Sequence, residues 1–373
     1  EAVDVISEIS VVDGYEDGSF KPQNTLTRGA AAKIICNLIL GPTTAAELHA
    51  DTAPYKDVPT SNTFSGYIAY CAKEGIISGY ADGSFRPAGT LTGYAFVKML
   101  LGALGYAATY EGYTGGNWSI NVAKQAIGIG LNKGLVDEFN GVDFVTREEA
   151  ALYAFNTLKA TMVDYDQKIT TNVNGVDVTI SQGNAKPVTW TEGINEDGNI
   201  KDDGYVQFAE EYFPKLYLDN TTDAFGRPAR EWEYSGNTVG TYVNHDILKK
   251  EFTTEVTGRD LYDVLGKSTI DDYEFLISVD GETEKNVLGD AFFTEDNILR
   301  SNTKGVGGTG NGVLTQVYVD TDNKDVYIAV INTYLAVATD DYNEKKDEAT
   351  YTVWSLENKG TSSDKTLVKA LPA

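Results

Sequence analysis

Val11-Val12-Asp13-Gly14-Tyr15-Glu16-Asp17-Gly18-Ser19-Phe20-Lys21-Pro22 returns further along the chain as Ile76-Ile77-Ser78-Gly79-Tyr80-Ala81-Asp82-Gly83-Ser84-Phe85-Arg86-Pro87, displaced by 65 residues (76 − 11 = 65). After each copy comes Thr-Leu-Thr and an apolar run, at Thr25-Leu26-Thr27 and Thr90-Leu91-Thr92. Self-similarity at a fixed, domain-sized period marks a repeat architecture. A third, worn copy is visible in Lys133-Gly134-Leu135-Val136 and then Phe144-Val145-Thr146-Arg147-Glu148-Glu149. Matching Gly134 to Gly75 takes a shift of 59 (134 − 75), whereas matching Thr146 to Thr92 takes 54 (146 − 92), which predicts a third loop five residues shorter.

Each copy has the same local grammar. Phe64, Tyr67, Ile68 and Cys71 stand at helical spacing and predict a first helix. Gly-Tyr-x-Asp-Gly-Ser-Phe-x-Pro reads as a loop, its glycines free to take positive φ and its proline ending it. Thr27, Thr92 and Thr146 are N-caps for a second helix, because a threonine oxygen accepts from the open N–H groups of a first turn. Only the third copy has a capping box, Thr146 with Glu149. A helix–loop–helix unit of this size cannot bury its apolar stripe alone, so the three units pack together.

Composition narrows the function. The chain has 373 residues and a net charge of −25. Residues 1–160 carry 11 Lys+Arg against 17 Asp+Glu, and residues 161–373 carry 19 against 38. Such acidity excludes nucleic-acid binding, which needs basic surface. Nor is there a run of 18 apolar residues that would span a membrane. The only cysteines, Cys36 and Cys71, lie in helix-like apolar segments without metal-site spacing. They are either buried thiols or a disulfide joining the first two repeats.

The loop motif followed by Leu-Thr-Arg resembles the S-layer homology (SLH) family over residues 1–160. The resemblance implies a three-pronged, pseudo-threefold helical module whose inter-repeat grooves bind a secondary cell-wall polysaccharide, commonly a pyruvylated one. The family's Thr-Arg-Ala-Glu signature falls on Thr27-Arg28-Gly29-Ala30, Thr92-Gly93-Tyr94-Ala95 and Thr146-Arg147-Glu148-Glu149. Arg28 and Arg147 then sit at the first helical position, where a cation is mildly unfavourable unless it receives an anion together with the helix N–H groups. A pyruvate carboxylate matches the guanidinium fork. The alternative is a salt bridge to a neighbouring repeat. Gly93 replaces the arginine in repeat two, so Gly93→Arg would restore the missing donor. Candidate polysaccharide-binding residues are Arg28, Arg147, Thr27, Thr146, Glu149, Tyr15, Asp17, Gly79, Tyr80 and Asp82. Asp17 and Asp82 equally suit closure of their own turns. Trp118 reads as core before sugar platform.

From about Ile169 the texture becomes short alternating strands with Asn, Asp and Gly turns. Val176–Ile180 alternates. Arg230–Tyr234 and Thr238–Tyr242 form a hairpin about Ser235-Gly236-Asn237, and Val313–Val319 pairs with Val326–Val337 through Asp320–Asp325. Thr257–Leu265 is a short capped helix. Asp320–Asp325 resembles the start of a calcium loop, but Ile331 stands where the twelfth-position glutamate belongs, so a hairpin turn is preferred. The acidic stretch Asn195–Gly204 is a solvated loop or a weak calcium site; no other cofactor is expected.

The expected fold is therefore multidomain: an all-α SLH module of three helix-loop-helix repeats, then one or two all-β sandwich-like domains. The divisions are repeat one at 1–45 (N-terminally incomplete), repeat two at 55–107, repeat three at 112–160, and β-rich regions at 169–270 and 271–373. Shifting Tyr55 back by 65 lands at −10, so the natural protein is expected to begin upstream of Glu1, behind a signal peptide. A chain ended after about Lys159 is expected to fold alone. His49 and His245 are the only histidines, and no hydrolase or P-loop motif occurs. The chain is thus expected to be no enzyme, but a secreted surface protein of a Gram-positive wall. Its role would be to anchor a surface layer non-covalently and to self-associate. An adhesin, or the anchor of a wall-bound exo-hydrolase, are the alternatives.

Overall fold

Three threonines start the helices that organise the computed structural model. It describes residues 1–135, 139–165, 169–173, 176–181, 184–190, 198–282, 295–306, 308–333, 335–338, 349–354 and 366–369. Thr27, Thr92 and Thr146 adopt extended φ/ψ, and each hydroxyl oxygen accepts from the N–H three residues on, at 3.3, 3.3 and 3.2 Å. Each cap stabilises its helix by about 1 kcal/mol. The capped helices are α2 (Arg28–Leu40), α5 (Gly93–Ala103) and α7 (Arg147–Leu158), and α1 (Ala2–Glu8), α4 (Ser65–Lys73) and α6 (Trp118–Gly128) precede them. A short α3 (Pro42–Ala46) follows α2.

The first helix of every repeat ends alike. Ser10, Gly75 and Gly130 take φ of 56°, 72° and 77°. The next N–H then reaches back five residues, Val11 to Ile6, Ile76 to Cys71 and Leu131 to Ala126. Gly130, not Gly134, is therefore the counterpart of Gly75, and the shift there is 55 (130 − 75). The third loop is one residue shorter than the second, not five. Sequence matching misplaced it because Gly134-Leu135-Val136, not Gly130-Leu131-Asn132, repeats the pattern of Gly75-Ile76-Ile77.

Chain division gives two units: 1–219 with 231–241, and 220–230 with 242–373. In the first, Ile6, Ile35, Leu38, Ile68, Phe96, Leu100, Val122 and Leu158 are wholly buried. Each such side chain stabilises the fold by roughly 1.5–3 kcal/mol. Cys36 and Cys71 lie in this core as free thiols, Sγ to Sγ 3.5 Å.

This unit is not purely helical. It includes β1 (Val163–Tyr165), antiparallel to β4 (Ala185–Pro187), the hairpin β2 (Ile169–Val173) with β3 (Val176–Ser181), and a further helix, α8 (Phe208–Tyr212). Next come β5 (Leu216–Thr222), β6 (Pro228–Tyr234) and β7 (Asn237–Val243), a three-stranded sheet. Ser235 and Gly236, φ 52° and 82°, form its expected tight turn. Trp232 of β6 is fully buried against Phe155 of α7, ring centroids 5.3 Å apart.

The second unit is a helix on a mixed sheet. Strands β8 (Leu248–Phe252), β9 (Glu274–Val279), β10 (Val313–Asp320) and β11 (Asp325–Asn332) order as β8-β10-β11-β9. Pairing is antiparallel except β11 with β9, which is parallel with Ile328 opposite Ile277. This register puts Val317 and Val319, Val326, Ile328 and Val330, and Phe275, Ile277 and Val279 on one face. Leu261 and Leu265 of α9 (Gly258–Asp272) join the cluster on that face. Helix α9 starts at Thr257, capped reciprocally with Asp260, and kinks at Gly266, φ 75°. Strands β12 (Leu335–Ala338), β13 (Ala349–Trp354) and β14 (Thr366–Lys369) form an antiparallel sheet.

The expectation of an all-α SLH module followed by one or two all-β sandwich-like domains is therefore corrected. Strands occur beside the helices of the first unit. In the second, a helix, not a second sheet, covers the apolar face, and a parallel pair replaces sandwich pairing. Asp320–Asp325 is a hairpin turn, closed by N–H donation from Asp322 and Asn323 to the Asp320 carboxylate. Residues 195–197 of the acidic stretch lie outside the described residues. From Gly198 on, the buried Glu210 carboxylate accepts from the N–H of Ile200, Lys201 and Gln207.

Candidate functional site

Repeats of the first unit are tied in a ring. Arg28 N–H donates to Gly89 O, Gly93 N–H to Asp143 O, and Arg147 N–H to Asn24 O. The next N–H of each helix does likewise, Gly29 to Pro87, Tyr94 to Gly141 and Glu148 to Pro22. Each second helix thus gives its open N-terminal N–H groups to the loop of the following repeat, and the third repeat closes on the first. Leu26, Leu91 and Val145, all buried, sit beside these contacts.

Both arginines reach across the same joints. Arg28 Nε donates to Phe85 O at 2.7 Å and Nη2 to Ser78 O at 3.1 Å. Its guanidinium lies over the Phe85 and Tyr80 rings, 4.3 and 5.0 Å from their centroids. Arg147 repeats the arrangement: Nε to Phe20 O at 2.9 Å, Nη2 to Asp13 O at 2.8 Å, and the Tyr15 and Phe20 rings each at 4.8 Å. The arginines tie to neighbouring repeats, but through loop carbonyls rather than carboxylates. Two clusters result, Arg28 with Tyr80 and Arg147 with Tyr15; Gly79 and Asp82 share the loop of Tyr80, and Asp17 that of Tyr15.

Asp17 and Asp82 close their own turns on Ser19 and Ser84. Lys21 and Ser19 hold Asp17 down to about 2, and Ser84 holds Asp82 down to about 2. Gly79 leaves room for the Tyr55 ring, which a Cβ there would overlap. Thr27 caps α2. Thr146 and Glu149 satisfy each other, Glu149 Oε2 accepting from Thr146 N–H at 2.8 Å. Tyr15 and Tyr80 are the exposed aromatics of the two clusters, at 41% and 43%.

At the third joint an aromatic ladder replaces the arginine. Tyr94 stacks edge-on to Phe139, centroids 5.5 Å apart, and Phe139 to Tyr153 at 5.8 Å. A Cβ on Gly93 would stand 3.0 Å from Gly141 Cα, so the Gly141 backbone would have to give by a few tenths of an ångström. Gly93→Arg is therefore expected to destabilise the ring by about 1–3 kcal/mol through overpacking, without improving wall binding. Thermal melting and wall sedimentation of the variant check both parts.

Beside Arg28 a groove of about 330 Å³ opens between repeats, lined by Ser78, Phe85, Lys98, Tyr113, Thr114 and Trp118, among others. No acidic residue lines it among the described residues. Lys98 lies over the half-buried Trp118 ring at 5.6 Å, and burial pushes its pKa below the ordinary lysine value. Tyr113 is buried, its hydroxyl without a partner. Sequence reasoning missed Lys98 and Tyr113 and read Trp118 as core. The available signal was Lys98 six residues after the Thr92 cap, repeating Lys33 after Thr27.

Residues 2–32 and 54–93 match the S-layer homology domain family. A protein named as a cell wall amidase from Bacillus anthracis is 28% identical over 153 residues, 39% of this chain and 28% of that protein. A surface layer protein of Brevibacillus choshinensis is 27% identical over 145 residues, 39% of this chain and 13% of that protein. A cellulosome-anchoring protein of Acetivibrio thermocellus is 28% identical over 134 residues, 34% of this chain and 30% of that protein. The chain thus spans less than a third of each of these relatives. No helix among the described residues is long and apolar enough to cross a membrane. With the family match on the first two repeats and the third closing their ring, the chain carries S-layer homology domains and is an S-layer-type protein of the cell surface and cell wall.

Proposed function

We propose that the first unit anchors the chain non-covalently by gripping a secondary cell-wall polysaccharide through its acidic groups, pyruvate ketals being the best fit. The observation that carries this reading is the Arg28 groove. A chain of net charge −25 presents there two cations, an aromatic face and, among the described lining residues, no carboxylate. Arg28 spends Nε and Nη2 on loop carbonyls, and Nη1 has no protein partner among the described residues. A guanidinium and an ammonium attract a carboxylate, while Trp118 offers a flat face to a sugar ring. Thr27, Thr146 and Glu149 support the helix ends. Tyr80 borders the grip. The second unit would serve as a structural element of the layer, including self-association. Relatives named as surface layer protein and as cellulosome-anchoring protein support the anchor. The relative named as an amidase favours a second reading, in which such an anchor carries an enzyme elsewhere in a longer chain.

Sedimentation with purified sacculi tests the proposal. Most of the protein should pellet with sacculi bearing the secondary polymer and stay in solution with sacculi stripped of it. Equal pelleting with both preparations would sink the anchoring reading.

A further inference from the structure

Two copies of one groove differ first in an ion pair. Lys33 and Lys98 hold the same place on α2 and α5 (98 − 33 = 65), and Asp13 and Ser78 the same place in the two loops (78 − 13 = 65). Beside Arg147, Lys33 Nζ lies 2.8 Å from the Asp13 carboxylate, and Arg147 Nη2 donates to the Asp13 carbonyl. An anion of the protein itself already pairs with Lys33, on the residue whose carbonyl accepts from Arg147. Beside Arg28, the equivalent residue is the uncharged Ser78. Lys98 there makes no hydrogen bond or ion pair among the described residues and is half-buried.

The aromatic wall differs as well. Trp118 flanks Lys98, whereas Phe64 lies against Gly29, where a Cβ would come within 2.5 Å of its ring. At the third joint Gly93 and Leu152 replace both cations (152 − 98 = 54). The three joints therefore form a series: two cations of which Lys98 has no ion pair among the described residues and Arg28 feels Asp57 only through space, two cations of which Lys33 is paired directly with a carboxylate, and none.

We infer that only the Arg28–Lys98–Trp118 groove takes an acidic saccharide in the native chain, and that Asp13 keeps the Arg147 groove shut as a built-in counter-ion. This rests on the anchoring reading above. A ligand carboxylate entering the Arg147 groove meets Asp13 at close range, and like charges there disfavour binding. In the Arg28 groove no carboxylate pairs with Lys98 among the described residues, and Asp57, which acts on Arg28 through space, is held by the N–H groups of Phe85 and Arg86.

Isothermal titration of the full chain tests this, with an oligosaccharide fragment of the wall polysaccharide that carries one pyruvate ketal. The same fragment stripped of its ketal by mild acid is the control. The native chain should bind one fragment. Lys98→Met should weaken binding roughly ten- to hundred-fold, the loss of one charge-assisted contact, with no fall in melting temperature. Lys33→Met should leave the affinity within about two-fold. Asp13→Ser, which reproduces Ser78, should raise the stoichiometry to two. Two sites in the native chain, an indifferent Lys98→Met, or one site in Asp13→Ser each overturns the inference while leaving the anchor intact. Failure of the native chain to bind the ketal-bearing fragment overturns the anchoring reading, and this inference with it.

Discussion

Arg147→Ala should lower the melting temperature of the first unit by roughly 4–12 °C, and Arg28→Ala by a similar amount. Each guanidinium makes two hydrogen bonds to loop carbonyls of the adjacent repeat and covers two aromatic rings. Charge-assisted bonds are worth about 1.5–3 kcal/mol when buried and less when solvated, and the stacked rings add about 0.5–1 kcal/mol each. Nη2 of both arginines works at the exposed rim, so a net loss of about 2–3 kcal/mol is the reasonable sum. At roughly 2–4 °C per kcal/mol for a unit of this size, that gives the stated shift. Arg147→Lys should recover little of it, since an ammonium cannot hold both carbonyls in the fork geometry. Scanning calorimetry or circular dichroism decides. Reading the arginine from sequence as a ligand group alone predicts no change in melting, and a shift under 1 °C would restore that reading.

That difference shows where the sequence speaks and where it is silent. The repeat period, the threonine caps and the glycine loops are local signals, so Thr27, Thr92 and Thr146 could be placed as helix starts from spacing alone. What Arg28 touches is not local. Its partners Ser78 and Phe85 lie in the following repeat, and no pattern around residue 28 names them. Lys98 shows the same limit more sharply. It and Lys33 occupy equivalent positions, and what separates them is residue 13 against residue 78, twenty residues back in either repeat. The second unit was misread for a related reason. Its hairpin β10–β11 is local and visible, but parallel pairing of Glu274–Val279 onto β11 spans fifty residues. The edge strand Leu248–Phe252 carries Lys249, Lys250 and Glu251, charges that discourage further pairing and hide the strand from an alternation test.

Trp232→Ala is expected to be the most damaging single change in the first unit, costing about 3–5 kcal/mol. Trp232 is wholly buried, and its ring packs on Phe155 of the third repeat's second helix. Its Nε1–H donates to the Glu1 side chain at 2.9 Å, beside the start of α1. One indole therefore touches both the first and the last helix of the ring. Removing it opens a cavity in the core and takes away the donor that meets Glu1, so the costs add at one place. The corresponding fall in melting temperature is roughly 6–20 °C. Trp232→Phe should recover most of the packing but not the hydrogen bond, and fall between the two. By the same logic a chain ended after Lys159, which lacks Phe208, Leu216 and Trp232, should melt well below a chain ended after Thr241. Equal melting temperatures for those two truncations, with Trp232→Ala harmless in the longer one, would show that the helical repeats need nothing from the β6 strand.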